Sequence, residues 1–335
     1  MSSRKWGTVM YVLGIDGGGT KTTGVVADEN GKVFMESHAG PSNPNNLGQS
    51  EFEEVLKGLV EDLEKQDPVI FSELAVCFAG MSGAGDSSLR DAEFEKLLKK
   101  FLPDQAVIIV KNDAYNVLYS ETLGEPGIVQ IAGTGSISFG INSENETARS
   151  GGWGYLFDEA GSAYHLGNEA LRAVFRNYDG RGPETVLTKE IIKHFDVNDV
   201  KDLVDKVHGP LHPRSVIAPL ASLIITAAES GDRVAIEIIR QACAEIMGCI
   251  EACHNKLFTA DQQTLVVLSG GVFANSLQLL ECLRKLSKKK LPNIVWQQAQ
   301  AAPVSGAVVG GLMAMGFKGI DIKITERINR QLQKK

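Results

Sequence analysis

One stretch near the N-terminus decides the fold, Leu13-Gly14-Ile15-Asp16-Gly17-Gly18-Gly19-Thr20-Lys21-Thr22. The apolar segment 9–15 leads into an aspartate and three consecutive glycines, and residues 23–26 are again typical of a strand. The chain then turns at Asp28-Glu29-Asn30-Gly31 and enters a third strand, since Asn-Gly between apolar runs is a strong hairpin signal. The predicted order is therefore strand, glycine turn, strand, turn, strand.

The glycine turn is a candidate phosphate site. Dinucleotide and P-loop sites place a helix directly after their glycines, whereas here a second strand follows. Consecutive glycines still leave backbone N–H groups that an anion can approach closely. We expect Asp16, at the strand end, to hold Mg²⁺ through water. The alternative explanation for the glycines is a tight turn that needs a positive φ. Phosphate binding is expected from Gly17, Gly18, Gly19, Thr20 and Lys21.

Length and composition indicate a two-domain globular protein. The chain has 335 residues, 43% of them hydrophobic, and its net charge of −7 argues against a nucleic acid partner. With no signal peptide or membrane span in the sequence, we expect a cytoplasmic protein without a membrane partner. Five cysteines are too few for a disulfide framework. Cys249 and Cys253, spaced i, i+4, could share a metal, but packing on one helix face is the preferred interpretation.

The opening pattern returns in the second half of the chain. An apolar strand at 128–132 leads into Gly133-Thr134-Gly135-Ser136, a second strand at 137–141 and a third at 147–150. The repeated order indicates a structural duplication, with Gly124-Glu125-Pro126-Gly127 as the boundary. We expect an N-terminal domain of residues 1–124 and a C-terminal domain of residues 125–319. A last helix, at about 320–335 and capped by Thr325, is a candidate for packing on the first domain.

A third glycine site follows the buried strand predicted at 264–268. Ser269-Gly270-Gly271 opens a helix, whose N-terminus favours anions. The absence of side chains there would let a nucleotide base, ribose or α-phosphate pass, although a compact strand-to-helix turn explains the same glycines. ATP binding is therefore expected from Gly270, Gly271 and Asn275.

Asp113 is the candidate catalytic residue. It lies at the carboxyl end of the strand predicted at 106–110 and at the start of a helix. An aspartate there can cap the helix, or it can act as the base that orients a substrate hydroxyl towards a γ-phosphate. Phosphoryl transfer depends mostly on positioning and charge neutralisation, so one carboxylate beside Mg²⁺ and backbone donors is a sufficient set. We favour the catalytic role, which can coexist with capping.

Together the motifs resemble one known family. Residues 14–22, Gly133-Thr134-Gly135-Ser136, Gly151-Gly152-Trp153-Gly154 and Ser269-Gly270-Gly271-Val272 occur in the order found in the N-acetylglucosamine kinase and BadF/BadG/BcrA/BcrD ATPase family. This family belongs to the actin, Hsp70 and sugar kinase superfamily, and the resemblance covers nearly the whole chain. It implies an α/β fold of two RNase H-like (actin-like ATPase) domains with a nucleotide cleft between them, ATP and Mg²⁺ as cofactors, and a homodimer.

The resemblance also implies roles for individual residues. Asp113 matches the family's catalytic base, which also contacts the sugar. The glycine turns match its phosphate loops, so Thr134 and Gly135 are expected at the phosphates as well as at the sugar. Gly270 and Gly271 match its adenosine loop. The other positions that match sugar contacts are Asn43, Ser136, Gly152 and Ala163.

One segment departs from the family pattern. After Gly-Gly-Trp-Gly the family usually has Gly-Asp-Glu-Gly-Ser, whereas this chain has Phe157-Asp158-Glu159-Ala160-Gly161-Ser162. An ungapped match puts Glu159 where the family's sugar-contacting Asp stands, so Asp158 and Glu159 are both candidate sugar ligands. Because the side chain of Glu159 is longer than that of Asp, its carboxylate is shifted relative to the sugar hydroxyls that it would bind. The identity of the acceptor sugar therefore stays open.

The preferred hypothesis is an ATP-dependent kinase that transfers the γ-phosphoryl group to a hydroxyl, expected at C6, of an amino sugar. The small-molecule acceptor is N-acetylglucosamine or a close relative, N-acetylmuramic acid or glucosamine. One alternative is an activator ATPase of a dehydratase or reductase, which needs cysteine ligands for an iron–sulfur cluster. The other is a non-catalytic, ATP-driven switch that is indifferent to sugars.

Overall fold

The computed structural model describes residues 9–44, 47–85, 88–209 and 213–333. The chain divides into two compact units: unit 1 comprises Met1–Glu125 and Ala299–Lys335, and unit 2 comprises Pro126–Gln298. Each unit contains a five-stranded mixed sheet with helices packed on it. The predicted α/β class is therefore confirmed.

The described chain forms ten strands and fourteen α-helices. The strands are β1 Tyr11–Gly17, β2 Thr22–Asp28, β3 Val33–Ala39, β4 Leu74–Met81, β5 Val107–Asn112, β6 Gly127–Ala132, β7 Ser136–Ile141, β8 Thr147–Gly151, β9 Thr264–Ser269 and β10 Ile294–Gln298. The helices are α1 Gln49–Gln66, α2 Pro68–Ser72, α3 Ser88–Leu98, α4 Ala114–Thr122, α5 Ala163–Tyr178, α6 Leu187–Phe195, α7 Leu203–His208, α8 Pro213–Ile217, α9 Ala221–Glu229, α10 Arg233–Leu257, α11 Gly271–Asn275, α12 Leu277–Lys290, α13 Pro303–Ala314 and α14 Lys323–Leu332.

The unit 1 sheet has the order β3-β2-β1-β4-β5, with β1 antiparallel to β2 and parallel to β4. Strand β1 is buried on both faces. Leu13 and Ile15 pack in a cluster with Leu59 of α1, whereas Val12 packs in another with Val308 of α13. Because successive side chains of a strand point to opposite faces, a strand between two helical layers must be apolar at nearly every position. The opening stretch meets this requirement.

Helix α13 belongs to unit 1, which differs from the predicted division. The sequence placed residues 125–319 in the second domain, but unit 1 includes the whole segment from Ala299. The physical reason is that α13 covers the second face of the unit 1 sheet, where Gly310 packs against Phe78 of β4 and Gly311 against Val12 of β1. Helix α14 is also part of this unit.

The cap predicted for the last helix is wrong. Helix α14 begins at Lys323, and its start has no side-chain cap. Thr325 lies inside the first turn instead, where its hydroxyl donates to the carbonyl oxygen of Ile322 at 3.0 Å.

The unit 2 sheet has the order β10-β9-β6-β7-β8. Strand β6 is antiparallel to β7 and parallel to β9, as β1 is to β2 and β4. The two sheets therefore have corresponding strand orders, and the predicted duplication is confirmed. Between β8 and β9 the chain forms helices α5 to α10, which bury an apolar core with β6 and β9.

Helix α10 carries the cysteine pair. Cys253 is fully buried, and its Sγ lies 3.6 Å from the carbonyl oxygen of Ser138 and 3.7 Å from that of Ala148. Its thiol therefore packs against the unit 2 sheet. Within the described ranges, no three His, Cys, Asp or Glu side chains are arranged to hold a metal ion. None of the described helices combines the length and apolarity needed to cross a membrane.

Candidate active site

Three parallel strands of unit 1 end at the same edge of the sheet. Gly17 of β1 is paired with Met81 of β4, and Met81 with Asn112 of β5. The glycine turn follows β1 directly, and Asp113 follows β5 directly. The carboxyl edge of this sheet therefore brings together the predicted phosphate turn and the predicted base. Ligands of open α/β sheets commonly bind at this edge.

The glycine turn is not explained by backbone strain. None of Gly17, Gly18 and Gly19 has a positive φ. A Cβ on Gly17 would lie 2.6 Å from Ser42 Oγ, so packing requires this glycine, but a Cβ on Gly19 would meet no atom within 4 Å. Gly19, Thr20 and Lys21 are exposed. Packing within the fold does not require a glycine at position 19. An exposed glycine backbone of this kind is typical of a surface that another molecule approaches.

Asp16 is held by a residue that the sequence did not reveal as functional. Asn116 of α4 is fully buried, and its Nδ2 donates to Asp16 Oδ1 at 2.8 Å and to the Ile15 carbonyl oxygen at 3.1 Å. Burial raises the pKa of Asp16, while this hydrogen bond and the charge of Lys21 oppose the rise. One feature of the sequence could have indicated a role for Asn116, namely a polar amide at a helix position that faces the core.

Asp113 directly precedes α4, at its N-cap position, but its carboxylate does not cap that helix. Its φ of −58° and ψ of −22° are helical, and no capping hydrogen bond from its side chain is formed. The backbone carbonyl of Asp113 instead accepts from the N–H of Asn116 at 3.0 Å. Capping therefore does not account for an aspartate at this position.

The loop that carries Asn43 is tied to the glycine turn. The backbone N–H of Ser42 donates to the Gly18 carbonyl oxygen at 3.0 Å, and that of Ser82 donates to the Gly17 carbonyl oxygen at 2.7 Å. Asn43 Nδ2 in turn donates to Ser82 Oγ at 3.0 Å. Asn43 therefore lies beside the turn, and Ser82 joins the site as a residue that sequence reasoning missed.

In unit 2 the second glycine turn connects β6 to β7, and the start of α5 is hydrogen-bonded to it. The backbone N–H of Ala163 donates to the Gly133 carbonyl oxygen at 2.8 Å, and that of Tyr164 donates to the Thr134 carbonyl oxygen at 3.4 Å. Thr134 is exposed at the tip of this turn. The structure thus brings together Thr134, Gly135 and Ala163, three of the residues predicted to contact the sugar.

The remaining glycine site packs against the second turn. Gly270 has a φ of 105°, and a Cβ on it would lie 2.3 Å from the Ala132 carbonyl oxygen, so only glycine fits there. Gly271 and Asn275 are exposed, and Asn275 Nδ2 donates to the Gly271 carbonyl oxygen at 2.7 Å. The two glycine sites of unit 2 are therefore neighbours at one edge of its sheet.

Two other predicted sugar residues lie at the ends of neighbouring strands of unit 2, Ser136 at the start of β7 and Gly152 after β8. Ser136 is buried, and its Oγ accepts from Gln130 Nε2 at 2.9 Å. Gly152 directly follows β8, and its carbonyl oxygen accepts from an Nη of Arg149.

Asp158 and Glu159 have different neighbours. Asp158 Oδ1 accepts from the backbone N–H of Ala160 at 3.3 Å. Glu159 instead reaches the second glycine turn, where its Oε1 would lie 2.9 Å from a Cβ on Gly135. The position that departs from the family pattern is therefore the one beside the turn.

Arg214 of α8 pairs with Glu159, with Nη2 and Oε1 2.6 Å apart and side chains that are 18% and 7% exposed. A Cβ on Gly135 would lie 2.4 Å from Arg214 Nη2, so the ion pair covers this glycine. Glu159 Oε2 and Arg214 Nε are buried without a hydrogen-bond partner among the described residues. The pair thus holds one acceptor and one donor that a ligand could satisfy. Arg214 was not predicted, because it is far from Glu159 in sequence.

Burial raises the pKa of Glu159 from 4.5 to about 7, even though Arg214 lowers it. The folded protein therefore keeps this proton at pH values where the unfolded chain has lost it, so stability falls as the pH rises from about 5 to 7. The shift corresponds to a stability difference on the order of 3 kcal/mol. We expect Glu159→Gln to remove this part of the pH dependence, as measured by urea unfolding at pH 5, 6, 7 and 8. An unchanged slope in the variant would contradict the assignment.

Comparison with known proteins gives one family. The model of the BadF/BadG/BcrA/BcrD ATPase family matches residues 13–311. A protein from Clostridium acetobutylicum, named N-acetylmuramic acid/N-acetylglucosamine kinase, is 31% identical over 300 residues, which cover 89% of this chain and 97% of that protein. The N-acetyl-D-glucosamine kinase of Dictyostelium discoideum is 30% identical over 322 residues, with coverages of 91% and 98%.

Solved structures show the same fold. The ROK hexokinase from Thermus thermophilus superposes with a TM-score of 0.60 at 16% identity, covering 92% of this chain and 99% of that chain. A Chromobacterium violaceum protein, whose name proposes N-acetylglucosamine kinase activity, superposes with a TM-score of 0.72 at 24% identity, with coverages of 90% and 98%. At these identities the likeness establishes the sugar kinase fold alone.

Proposed function

Because the chain belongs to the BadF/BadG/BcrA/BcrD ATPase family, we propose that it is an ATP-dependent kinase of amino sugars. The observation that carries the proposal is the meeting of Asp16, the glycine turn and Asp113 at one edge of the unit 1 sheet. A phosphate-binding backbone, a carboxylate for a cation and a base are the groups that phosphoryl transfer needs. The names of the two curated relatives support an amino sugar as acceptor.

We assign MgATP to the glycine sites. The backbone of Gly17, Gly18 and Gly19, with Thr20 and Lys21, binds phosphate oxygens in unit 1. Asp16 holds Mg²⁺ through water, because Asn116 fixes the orientation of its carboxylate. A cation held there would supply positive charge that offsets the charge of the phosphates. In unit 2 the nucleotide is assigned to Thr134, Gly135, Gly270, Gly271 and Asn275.

We further propose which residues contact the sugar. Asp113 accepts the proton of the attacking hydroxyl, at C6, and Asn43, which lies beside the glycine turn, hydrogen-bonds the sugar. Ser136, Gly152 and Ala163 are further proposed contacts. In the segment 158–159, the carboxylate of Glu159 is better placed than that of Asp158, because Oε2 of Glu159 is a buried acceptor beside Gly135. A sugar hydroxyl or amide N–H would satisfy it.

The acceptor can be identified from the product. The protein is incubated with MgATP and N-acetylglucosamine, N-acetylmuramic acid, glucosamine or glucose, and the products are followed by ³¹P NMR. We expect a phosphomonoester on C6 of an N-acetylated amino sugar and a much weaker reaction with glucose. Equal reaction with all four sugars would contradict an amino-sugar kinase.

Asn116 gives a separate test of the cation site. Asn116→Ala removes the hydrogen bonds that orient Asp16, so we expect the KM for MgATP to rise about tenfold. The KM for the sugar should change far less. Ser120→Ala is a matched control, since Ser120 is buried on the same helix and its hydroxyl bonds only the Val117 carbonyl oxygen in the described structure. Equal effects of the two substitutions on KM would reject the role of Asn116.

We further propose a cytoplasmic homodimer. Unpaired thiols at Cys77, Cys243, Cys249, Cys253 and Cys282 support a reducing compartment. The activator ATPase alternative needs cysteine ligands for a cluster, and the packing of the Cys253 thiol against sheet carbonyls favours a core role. Light scattering of the purified protein would test the dimer.

A further inference from the structure

The ion pair between Glu159 and Arg214 is only half closed. Arg214 Nη2 donates to Glu159 Oε1 at 2.6 Å, but neither Glu159 Oε2 nor Arg214 Nε has a hydrogen-bond partner among the described residues. Both atoms are buried, and the Glu159 side chain as a whole is 7% exposed. Because buried polar groups in proteins are nearly always hydrogen-bonded, an unpaired acceptor and an unpaired donor in one pair point to a ligand.

Another ion pair of the same chain shows the usual, closed arrangement. On α10, Arg240 Nε donates to Glu237 Oε2 at 2.7 Å and Arg240 Nη2 donates to Glu237 Oε1 at 2.6 Å, so both carboxylate oxygens are used. This pair is exposed, so water would satisfy any group that it left unpaired. Glu159 and Arg214 leave the second bond unmade inside the protein, where an unpaired polar group is far more costly.

The open pair lies beside the second glycine turn. A Cβ on Gly135 would lie 2.9 Å from Glu159 Oε1, and Arg214 Nη2 would be closer still. Helix α8, which carries Arg214, packs on α5 so closely that a Cβ on Gly167 would clash with the Ile217 carbonyl oxygen. The start of α5 is in turn hydrogen-bonded to the glycine turn. The pair is therefore held at the turn, where Glu159 is proposed to contact the sugar.

The chemistry of the two unpaired atoms selects the group that binds them. A hydroxyl is both a donor and an acceptor, so one hydroxyl can donate to Glu159 Oε2 and accept from Arg214 Nε. The N–H of an acetamido group can only donate, and in a trans amide the carbonyl oxygen points away from the N–H. An ammonium group has three donors and no acceptor, and the guanidinium charge repels it. A hydroxyl is thus the sugar group that satisfies both atoms.

We propose that Arg214 is a specificity-determining residue, which together with Glu159 binds one sugar hydroxyl other than the hydroxyl that is phosphorylated. This role rests on the proposed function, in which Asp113 accepts the proton of the C6 hydroxyl. Arg214 Nε donates to the oxygen of the selected hydroxyl, and Glu159 Oε2 accepts from the same group. A sugar that lacks this hydroxyl leaves two charged residues buried and incompletely paired, so it is a poor acceptor.

The test uses N-acetylglucosamine and its 1-deoxy, 3-deoxy and 4-deoxy analogues at pH 8, above the pKa of about 7 to which burial raises Glu159. For each protein, kcat/KM with an analogue is divided by kcat/KM with the parent sugar, so that the fraction of active protein cancels. In the wild type, we expect one analogue to be poorer than the parent by about a hundredfold. In Arg214→Met, whose side chain has no donor, this penalty should shrink to about tenfold. Arg214→Lys has one nitrogen in place of the fork and should give an intermediate value.

Arg240→Met is the matched control, because it also removes the arginine of an arginine–glutamate pair but lies on an exposed helix face. It should leave every ratio at the wild-type value. If Arg214 serves the fold alone, its variants will be less stable in urea but will keep the wild-type ratios, and this result would overturn the inference. Equal use of the parent sugar and all three analogues by the wild type would overturn it too.

Binding measurements separate this inference from the proposed function. Dissociation constants of the four sugars are measured by calorimetry without ATP, for the wild type and Arg214→Met. If no sugar is phosphorylated but one analogue binds more weakly than the parent, and Arg214→Met reduces that difference, the kinase proposal fails while the hydroxyl contact is upheld. If the sugars are phosphorylated and the ratios do not depend on Arg214, the kinase proposal stands and the contact is rejected.

Discussion

Asp113→Asn is expected to lower kcat for sugar phosphorylation by about a thousandfold, because removal of a general base costs on the order of 10²–10⁴ in rate. The amide keeps the size of the side chain but cannot accept the proton of the sugar hydroxyl. The fold should be retained, since asparagine has the size of aspartate and is equally favourable at the N-cap position that residue 113 occupies. Steady-state kinetics would show kcat reduced, with little change in the KM for MgATP.

Asp232 offers a matched control for this substitution. It also begins a helix, but its carboxylate accepts from the backbone N–H of Ala235 at 2.9 Å and from that of Val186 at 2.9 Å. Asp232→Ala should cost about 1 kcal/mol of stability, as expected for a lost helix cap, and should leave kcat near that of the wild type. If Asp113→Asn keeps wild-type turnover, the base has been assigned to the wrong residue.

Gly306→Ala is expected to be the most destabilising single-methyl substitution, at about 4 kcal/mol or more, as for severe overpacking of a core. A Cβ on Gly306 would lie 1.8 Å from the carbonyl oxygen of Asn116 and 2.5 Å from the backbone nitrogen of Ser120. These are backbone atoms of α4, so no side-chain rotation can relieve the clash. Helices α13 and α4 would have to separate, and α4 carries Asp113 and Asn116.

Gly58→Ala is the control for this change. Gly58 is an exposed glycine inside helix α1, and a Cβ there would meet no atom within 4 Å. Since alanine favours the helix, this variant should be more stable by about 0.5–1 kcal/mol. Urea unfolding of both variants measures the contrast. If Gly306→Ala is tolerated as well as Gly58→Ala, the described packing of α13 on α4 is wrong.

The parts of the fold that local pattern controls could be predicted. Strand β1, the glycine turn and the hairpin that follows were recognisable because alternation of strand and turn residues acts over a few positions. The repeat of that pattern at β6 predicted the second sheet in the same way. Asp113 was recognisable because it follows a strand rich in β-branched residues and directly precedes a helix.

The parts that depend on distant packing could not be predicted. The assignment of α13 to the wrong domain followed from its position in the sequence, since only the three-dimensional structure shows that it covers the unit 1 sheet. Asn116 looked like an ordinary helix residue until its amide was seen to contact Asp16. The Glu159–Arg214 pair joins two residues that no local pattern links. Sequence motifs locate the turns, whereas packing decides which side chains face them.

Whether sugar phosphorylation is the reaction of this protein is tested most directly by ADP release with and without N-acetylated amino sugars. The account predicts slow ADP release with MgATP alone, strong stimulation by an amino sugar, one phosphosugar formed per ADP, and loss of that stimulation in Asp113→Asn. ADP release at the same rate with and without every sugar, and with no phosphosugar product, would contradict it.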